Sequence, residues 1–452
     1  MLDGDARSAF NSAERNHKLR SKMKKSTNTR RDFLATSTVA AGAAMVGSRM
    51  FAAQEKSGKP GMRIGWVGTG SRGSMDIKNC LTAVPEAEVI AVADLFQDQV
   101  DKYVGGLKKQ FGERIKANES TTFLGFDGFR KILEMEEVDA VFFTTPPGFR
   151  PQHFQEAVAA GKHIYVEKPG AVDALGVRSL LESTRLAREK NLSVVAGMQQ
   201  RFSPQYLEII KRIQDGAIGD IVHVAAYWLG IMKNWHWEPR KADWSDLEHQ
   251  VRTWPHWIWL SGDCCVEQLC HNIDINNWVL GDISPVSCRG VGGRIVRNGP
   301  EYGNIYDHFS FDYVYPNNVV GLGMNCQIKG ASRRVENMIT GTRGIATVTR
   351  GGAQIKGDNA FKWNGDNNGD LPMYRAMYKG MVEGNPVNMG EVLANATMTG
   401  IIGRNAAYTG RALSWKWIMN GSKEDLTPQH ALSFDAPFPA DAPPVPGVTL
   451  PV

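Results

Sequence analysis

Cysteine is scarce, with six residues in a chain of 452. So few cannot build a disulfide framework for a chain of this length. Cys264, Cys265 and Cys270 crowd around His271. Their spacing fits no common zinc pattern, and adjacent cysteines rarely serve one tetrahedral ion, so buried thiols and no metal are expected. An excess of one charge is also missing from most of the chain. Residues 1–53 carry 10 Lys+Arg against 4 Asp+Glu, leaving 42 against 43 for the remainder. That balance gives no electrostatic footing for nucleic acid. Long hydrophobic runs are lacking as well: the mildly apolar stretch Ala35 to Val46 is too short for a permanent membrane span.

What is present begins with a leader. Arg30-Arg31-Asp32-Phe33-Leu34 precedes that small apolar run, which ends near Ala52-Ala53. Pair, run and small-residue exit stand in the order of a twin-arginine export signal, so residues 1–53 read as a leader and the protein as exported.

Beyond it, short apolar strands alternate with helices. Strands are expected at Met62–Val67, Val89–Ala93, Val138–Phe143, His163–Val166 and Leu192–Ala196. Helices are expected between them, at about Ser74–Ala83, Gln97–Phe111, Pro151–Ala160 and Ala174–Lys190. This alternation implies an α/β Rossmann domain with a parallel, doubly wound sheet over residues 62–198. The pattern then changes. Phe309, Phe311, Tyr313 and Tyr315 alternate with polar residues, and Pro316-Asn317-Asn318 offers a turn into Val319–Leu322. Further strands are expected at Val335–Thr340 and Ile345–Thr349, and a late helix at about Met389–Thr409. Residues 199–435 therefore read as a C-terminal α+β domain with a mainly antiparallel sheet. The Pro-rich residues 436–452 read as an extended arm.

Gly68-Thr69-Gly70-Ser71-Arg72-Gly73 follows the first strand and opens a helix. A Gly-x-Gly-x-x-Gly in that context is a dinucleotide cradle. Gly68 makes the tight turn, Gly70 lets the backbone approach pyrophosphate, and Gly73 allows close helix–strand packing. Ser71 and Arg72 lie at the helix N-terminus, where free N–H groups meet phosphate. Asp94 closes the second strand, where a carboxylate holds the adenosine ribose and repels a 2′-phosphate. NAD is therefore expected over NADP.

Glu167-Lys168-Pro169 follows a later strand at the carboxyl edge of the sheet, where ligands bind in such folds. Together with the glycine loop, Asp94, Thr144-Thr145-Pro146-Pro147 and His153, it resembles the Glu-Lys-Pro motif of the glucose–fructose oxidoreductase/inositol dehydrogenase/MocA family. The resemblance covers nearly the whole chain after the leader. Glu267-Gln268-Leu269-Cys270-His271-Asn272-Ile273-Asp274 is similar to the family's acidic-x-x-x-His-x-x-Asp stretch, with Glu267 where many members carry Asp. Spacings of four and three place Glu267, His271 and Asp274 on one helical face.

The resemblance implies a cofactor site that includes Thr145, Pro146, His153, Glu167 and Lys168. It implies Lys168 and His271 as catalytic groups, Glu267 orienting His271, and Arg201 and Asp274 as candidate substrate contacts. His271 has a side-chain type suited to removing a hydroxyl proton near neutral pH. Lys168 would stabilise the developing alkoxide.

Seven tryptophans fall between Trp228 and Trp259. They serve equally well as a platform for a sugar ring or as core. The expected substrate is a sugar, cyclitol or glycoside, and the expected assembly a homo-oligomer, dimer or tetramer. Export adds a further expectation, that NAD travels inside the folded protein and is retained. An NAD-dependent glycosidase or lyase working through transient C3 oxidation is one alternative. A non-catalytic nucleotide-dependent binding protein is another.

Overall fold

The computed structural model describes residues 61–230 and 239–451. The leader at residues 1–53, with Trp235 and Trp237, lies outside the described residues. The first domain runs β1 (Met62–Val67), α1 (Ser71–Ala83), β2 (Ala87–Asp94), α2 (Gln97–Phe111), β3 (Thr122–Leu124), α3 (Gly128–Glu134) and β4 (Ala140–Phe143). It continues through α4 (Arg150–Ala159), β5 (His163–Val166), α5 (Ala174–Glu189) and β6 (Val194–Ala196). The strands form a parallel sheet in the order β3-β2-β1-β4-β5-β6. The strand order reverses between β1 and β4, and a crevice opens there above the carboxyl ends. β4 and the body of β1 are buried, so their unbroken apolar runs are what a sheet covered on both faces requires.

The second domain contains α6 (Pro204–Gln214), β7 (Ile221–Leu229), α7 (Asp246–Arg252), α8 (Ile258–Ser261), α9 (Cys264–Glu267), α10 (Cys270–Val279) and β8 (Ser287–Gly293). It goes on through β9 (His308–Val314), β10 (Val320–Cys326), β11 (Arg334–Gly341), β12 (Gly344–Thr349), β13 (Gly352–Gly357) and β14 (Phe361–Lys362). The chain ends with α11 (Asp370–Val382), α12 (Gly390–Thr409), β15 (Leu413–Ser414) and α13 (Trp415–Asn420). Nine strands form one sheet in the order β14-β13-β12-β11-β7-β10-β9-β8-β15, antiparallel except where β10 runs parallel to β7. The expected hairpin is β9–β10, and Asn317 and Asn318 take the left-handed conformation in its turn, which Asn tolerates.

Period-two alternation turns Phe309, Phe311 and Tyr313 inward, where they meet α12. This helix has 17 of its 20 residues buried, so it packs on all sides and joins the layers. It contacts α5 of the first domain on one flank and β8 and β9 on another. Gly403 permits the close approach, because a Cβ there would lie 2.6 Å from the Tyr313 hydroxyl. α11 likewise returns to the first domain and packs on α1. Residues 421–451 contain no helix or strand and run across both domains.

Candidate active site

The glycine loop is built by its neighbours. The fully buried Trp66 donates from Nε1 to the Gly68 carbonyl (2.9 Å), and Thr144 Oγ1 donates to the same oxygen (2.6 Å). Gly68 has φ +87°, and a Cβ there would meet Thr145 N at 2.8 Å. Gly73 is equally closed, with a virtual Cβ 2.4 Å from the Gly68 carbonyl. A Cβ on Gly70, by contrast, would meet nothing within 4 Å. The loop is thus rigid behind and open in front, and no side chain caps the N-terminus of α1. That arrangement fits a pyrophosphate.

A cavity of about 550 Å³ starts at this loop. Gly68, Gly70, Ser71, Asp94, Thr145, Pro146 and His153, the residues expected at the cofactor, all line it. Asp94 accepts from Thr69 N (2.6 Å), Thr69 Oγ1 (2.9 Å) and Phe96 N (3.0 Å). Burial raises its carboxyl above the usual range, and these hydrogen bonds work against that rise. His153 is buried against Phe129 and shares a hydrogen bond with Thr145 Oγ1 (3.2 Å). Burial pushes its imidazole down to about 3, so it packs as a neutral ring.

Gly73, Arg72, Glu167 and Lys168 do not line the cavity. Arg72 turns inward to Glu167 (2.6 Å) and Asp76 (2.9 Å). Glu167 also accepts from the Tyr165 hydroxyl (2.9 Å) and the Lys168 amide (3.0 Å). Burial alone would raise the Glu167 carboxyl; Arg72, Lys168 and Arg150 outweigh it and hold it low. Arg72 and Glu167 therefore brace the glycine loop against the Glu-Lys-Pro turn.

The catalytic candidates form a buried cluster beyond that turn. Lys168 Nζ donates to Glu267 Oε1 (2.6 Å) and to the Glu267 carbonyl (2.5 Å). His271 lies at the start of α10, stacked on Trp228 with ring centroids 5.9 Å apart. Its Nδ1 is buried without a hydrogen-bond partner among the described residues. Burial first, then the charges of Lys168, Arg350 and Arg72, hold the imidazole well below its usual 6.5.

Here the structure corrects the expected arrangement. Glu267 orients Lys168 and makes no hydrogen bond to His271. The helix breaks at Gln268-Leu269, so Glu267 ends α9 and His271 belongs to α10; the two do not share one helical face. Arg201 and Asp274, both expected at the substrate, form a bidentate pair with each other (2.8 and 2.7 Å), and Arg201 also reaches Asp282 (2.6 Å).

Two adjoining segments match known sequence families. Residues 62–198 match the oxidoreductase family with an NAD-binding Rossmann fold, and residues 206–347 match the GFO/IDH/MocA C-terminal domain. The chain belongs to the GFO/IDH/MocA oxidoreductase family. It is 25% identical over 287 residues to an inositol 2-dehydrogenase of Rubrobacter xylanophilus, across 63% of this chain and 70% of that one. Its fold is similar to that of an aldose-aldose oxidoreductase from Caulobacter crescentus, at TM-score 0.62 and 16% identity, over 78% of this chain and 99% of the other. A levoglucosan dehydrogenase in complex with NADH and levoglucosan gives TM-score 0.61 at 16% identity, with the same coverage.

Part of the cavity wall has no signature in the sequence. Val251 and Arg252 of α7, Trp254 and Leu432 line it from the second domain and the tail. Phe434 packs on Phe96 and Phe126 at 5.8 and 5.4 Å between centroids. Arg252 lies over Phe96 (3.8 Å) and pairs with Asp98 (3.0 Å). Leu247, Val251, Trp257, Leu260 and Phe438 form a small core of their own behind this wall. Of the five described tryptophans between Trp228 and Trp259, three belong to this wall besides Trp254: Trp257 is core, Trp259 packs on Phe149 and Phe438, and Trp244 lies under Arg252. Trp228 alone among them stacks on His271. No sequence pattern marks Leu432 or Phe434, because their role depends on where a structureless tail docks.

Cys264, Cys265 and Cys270 are buried thiols, each pushed up by desolvation. Cys264 Sγ donates to Asn325 Oδ1 (2.8 Å).

Proposed function

We propose that this family member transfers hydride between NAD and a secondary alcohol of a sugar, cyclitol or glycoside, with the cofactor retained between turnovers. The observation that carries the reading is the buried Lys168–Glu267 pair beside a neutral His271, one sheet edge away from an open glycine cradle. Gly70, the N-terminus of α1 and Asp94 would hold the dinucleotide, and when bound it supplies the hydride acceptor. Lys168 Nζ, aimed by Glu267, donates a hydrogen bond to the substrate oxygen and favours its alkoxide form. His271 is an uncharged imidazole with an unclaimed Nδ1, the state a base needs to take the hydroxyl proton. Burial of the cluster excludes bulk water from that transfer.

Asp94 at the end of β2 favours NAD over NADP, since a 2′-phosphate there would meet a carboxylate. The wall that α7, Trp254 and Leu432 add to the cavity, with Phe434 packed on Phe96 behind it, supports retention, because it gives a bound nucleotide further surface to leave. Mass spectrometry of small molecules released from the denatured protein should identify NAD at near-stoichiometric amount. Absence of bound nucleotide together with no NADH formed from any polyol would overturn the reading. Aglycone release from a glycoside without net NADH would instead favour the glycosidase mechanism. Phe434→Ala, which removes two aromatic contacts, is expected to speed NAD release about 10-fold. Rapid dilution into a nucleotide trap measures that rate.

The order of the leader supports export. Changing Arg30 and Arg31 to Lys is expected to leave the protein in the cytoplasmic fraction on immunoblots of separated compartments. The outer face of the nine-stranded sheet carries exposed Val291, Val320 and Ile345, which supports a homo-oligomer built through that face, dimer or tetramer.

A further inference from the structure

The charges around His271 do not balance. Lys168 is matched by Glu267, Arg72 by Glu167 and Asp76, and Arg201 by Asp274 and Asp282. Like the buried Arg150, which donates to the Pro169 carbonyl (2.6 Å), Arg350 in the turn between β12 and β13 has no acidic partner among the described residues. Its guanidinium lies over the Trp228 ring at 5.8 Å, and Trp228 is the ring stacked on His271. No acidic side chain among the described residues forms an ion pair with it. It is held by neutral groups instead. The Arg350 carbonyl accepts from Gln205 Nε2 (3.1 Å). Arg350 Nη2 donates to the Gln199 side-chain oxygen (3.3 Å) when the Gln199 amide is oriented by its own bond to the Gly197 carbonyl (2.8 Å).

Gln199 and Gly197 follow β6 in the first domain, so this contact brings a second-domain cation to the sheet edge that carries Glu167 and Lys168. A Cβ on Gly197 would strike the Glu167 carboxylate at 2.2 Å, which shows how close that edge runs to the catalytic turn. Arg350 remains exposed, and beyond the Gln199 bond its side-chain donors meet no acceptor among the described residues.

We propose that Arg350 is a specificity-determining residue that binds an anionic group of the substrate, so that the preferred substrate is a sugar acid. The claim rests on the dehydrogenase reading above and narrows its substrate class. An arginine fork over an aromatic face is suited to a carboxylate, which it can meet with two parallel hydrogen bonds. A carboxylate held there also offsets the charge of Arg350, the one cation acting on the imidazole that no described acid matches. A neutral polyol leaves that charge unmatched.

Three probes distinguish the cases: glucuronate, glucose 6-phosphate and methyl glucoside, each titrated calorimetrically into the NAD-loaded His271→Asn protein. Glucuronate is expected to bind about 10- to 100-fold more tightly than the neutral glycoside. Arg350→Gln should bring that ratio toward one, and Arg350→Lys should restore part of it. In turnover assays the same loss should fall on KM more than on kcat. Tighter binding of the phosphate than of the carboxylate overturns the sugar-acid assignment. Equal binding of acid and neutral sugar, a preference that survives Arg350→Gln, or no binding of any probe overturns the inference. If glucuronate binds through Arg350 but no polyol is ever oxidised, the binding inference stands and the dehydrogenase reading fails.

Discussion

Replacing His271 with asparagine is expected to lower kcat by about 100- to 10,000-fold, the range for loss of a positioned general base. Asparagine fills most of the same space beside Trp228, so folding and NAD content should be preserved; circular dichroism and nucleotide release check this. The pH profile carries a second, independent expectation. Burial and three neighbouring cations lower the His271 pKa well below 6.5. The base form is the neutral one, so a lowered pKa keeps it available as the pH falls through 6.5. The acid limb of kcat/KM should therefore lie below pH 6.5 in the wild type. Sign matters for stability too. A histidine with a depressed folded-state pKa contributes stability that is present above 6.5 and lost as the pH falls. A variant turning over within threefold of wild type would sink the base assignment and leave Lys168 as the only group acting on the substrate oxygen.

Arg404→Met is expected to cost about 3–5 kcal/mol of folding stability, the usual penalty for removing one partner of a buried ion pair. Arg404 is fully buried on α12 and reaches three segments at once. Its guanidinium donates to the Val172 carbonyl (2.6 Å), the Gly262 carbonyl (3.2 Å) and Glu424 Oε1 (2.7 Å). Val172 follows the Glu-Lys-Pro turn, Gly262 precedes α9, and Glu424 lies in the tail. Losing the cation strands a carboxylate and two carbonyls away from water, which is why methionine's good packing does not compensate. For a chain of this size the melting temperature should fall by about 4–6 °C. Combining Arg404→Met with Glu424→Met should recover part of the loss, because the second change removes the stranded charge. A single variant melting with the wild type would show that the pair contributes nothing to the joint between domains.

The first domain was legible because its signals are local. Strand runs, the glycine loop and Asp94 lie within one β-α-β unit, and each obeys a short-range steric or hydrogen-bonding rule. The expected helix after the loop begins slightly late, at Ser74, whereas α1 starts at Ser71, since the loop leads directly into the helix. The β9–β10 and β11–β12 hairpins were readable for the same reason, through alternation and turn residues. Outside these, reading by spacing failed where the backbone departs from regularity. A helical period carried across Gln268-Leu269 put Glu267 on the face of His271, and a break of two residues turned it toward Lys168 instead.

Sequence alone therefore determined that this chain folds around a dinucleotide cradle and carries a Glu-Lys-Pro turn at the sheet edge. Only the tertiary structure decided which charges neutralise one another. Lys168 finds Glu267 at a separation of 99 residues, Arg201 finds Asp274 at 73, and Arg350 finds no acid among the described residues. It also decided that the tail brings Leu432 into the wall of the cavity at the glycine loop and Phe434 against Phe126, which lines it. The reason is physical: a pairing between distant side chains depends on how whole layers pack, and no local pattern of residues encodes that distance.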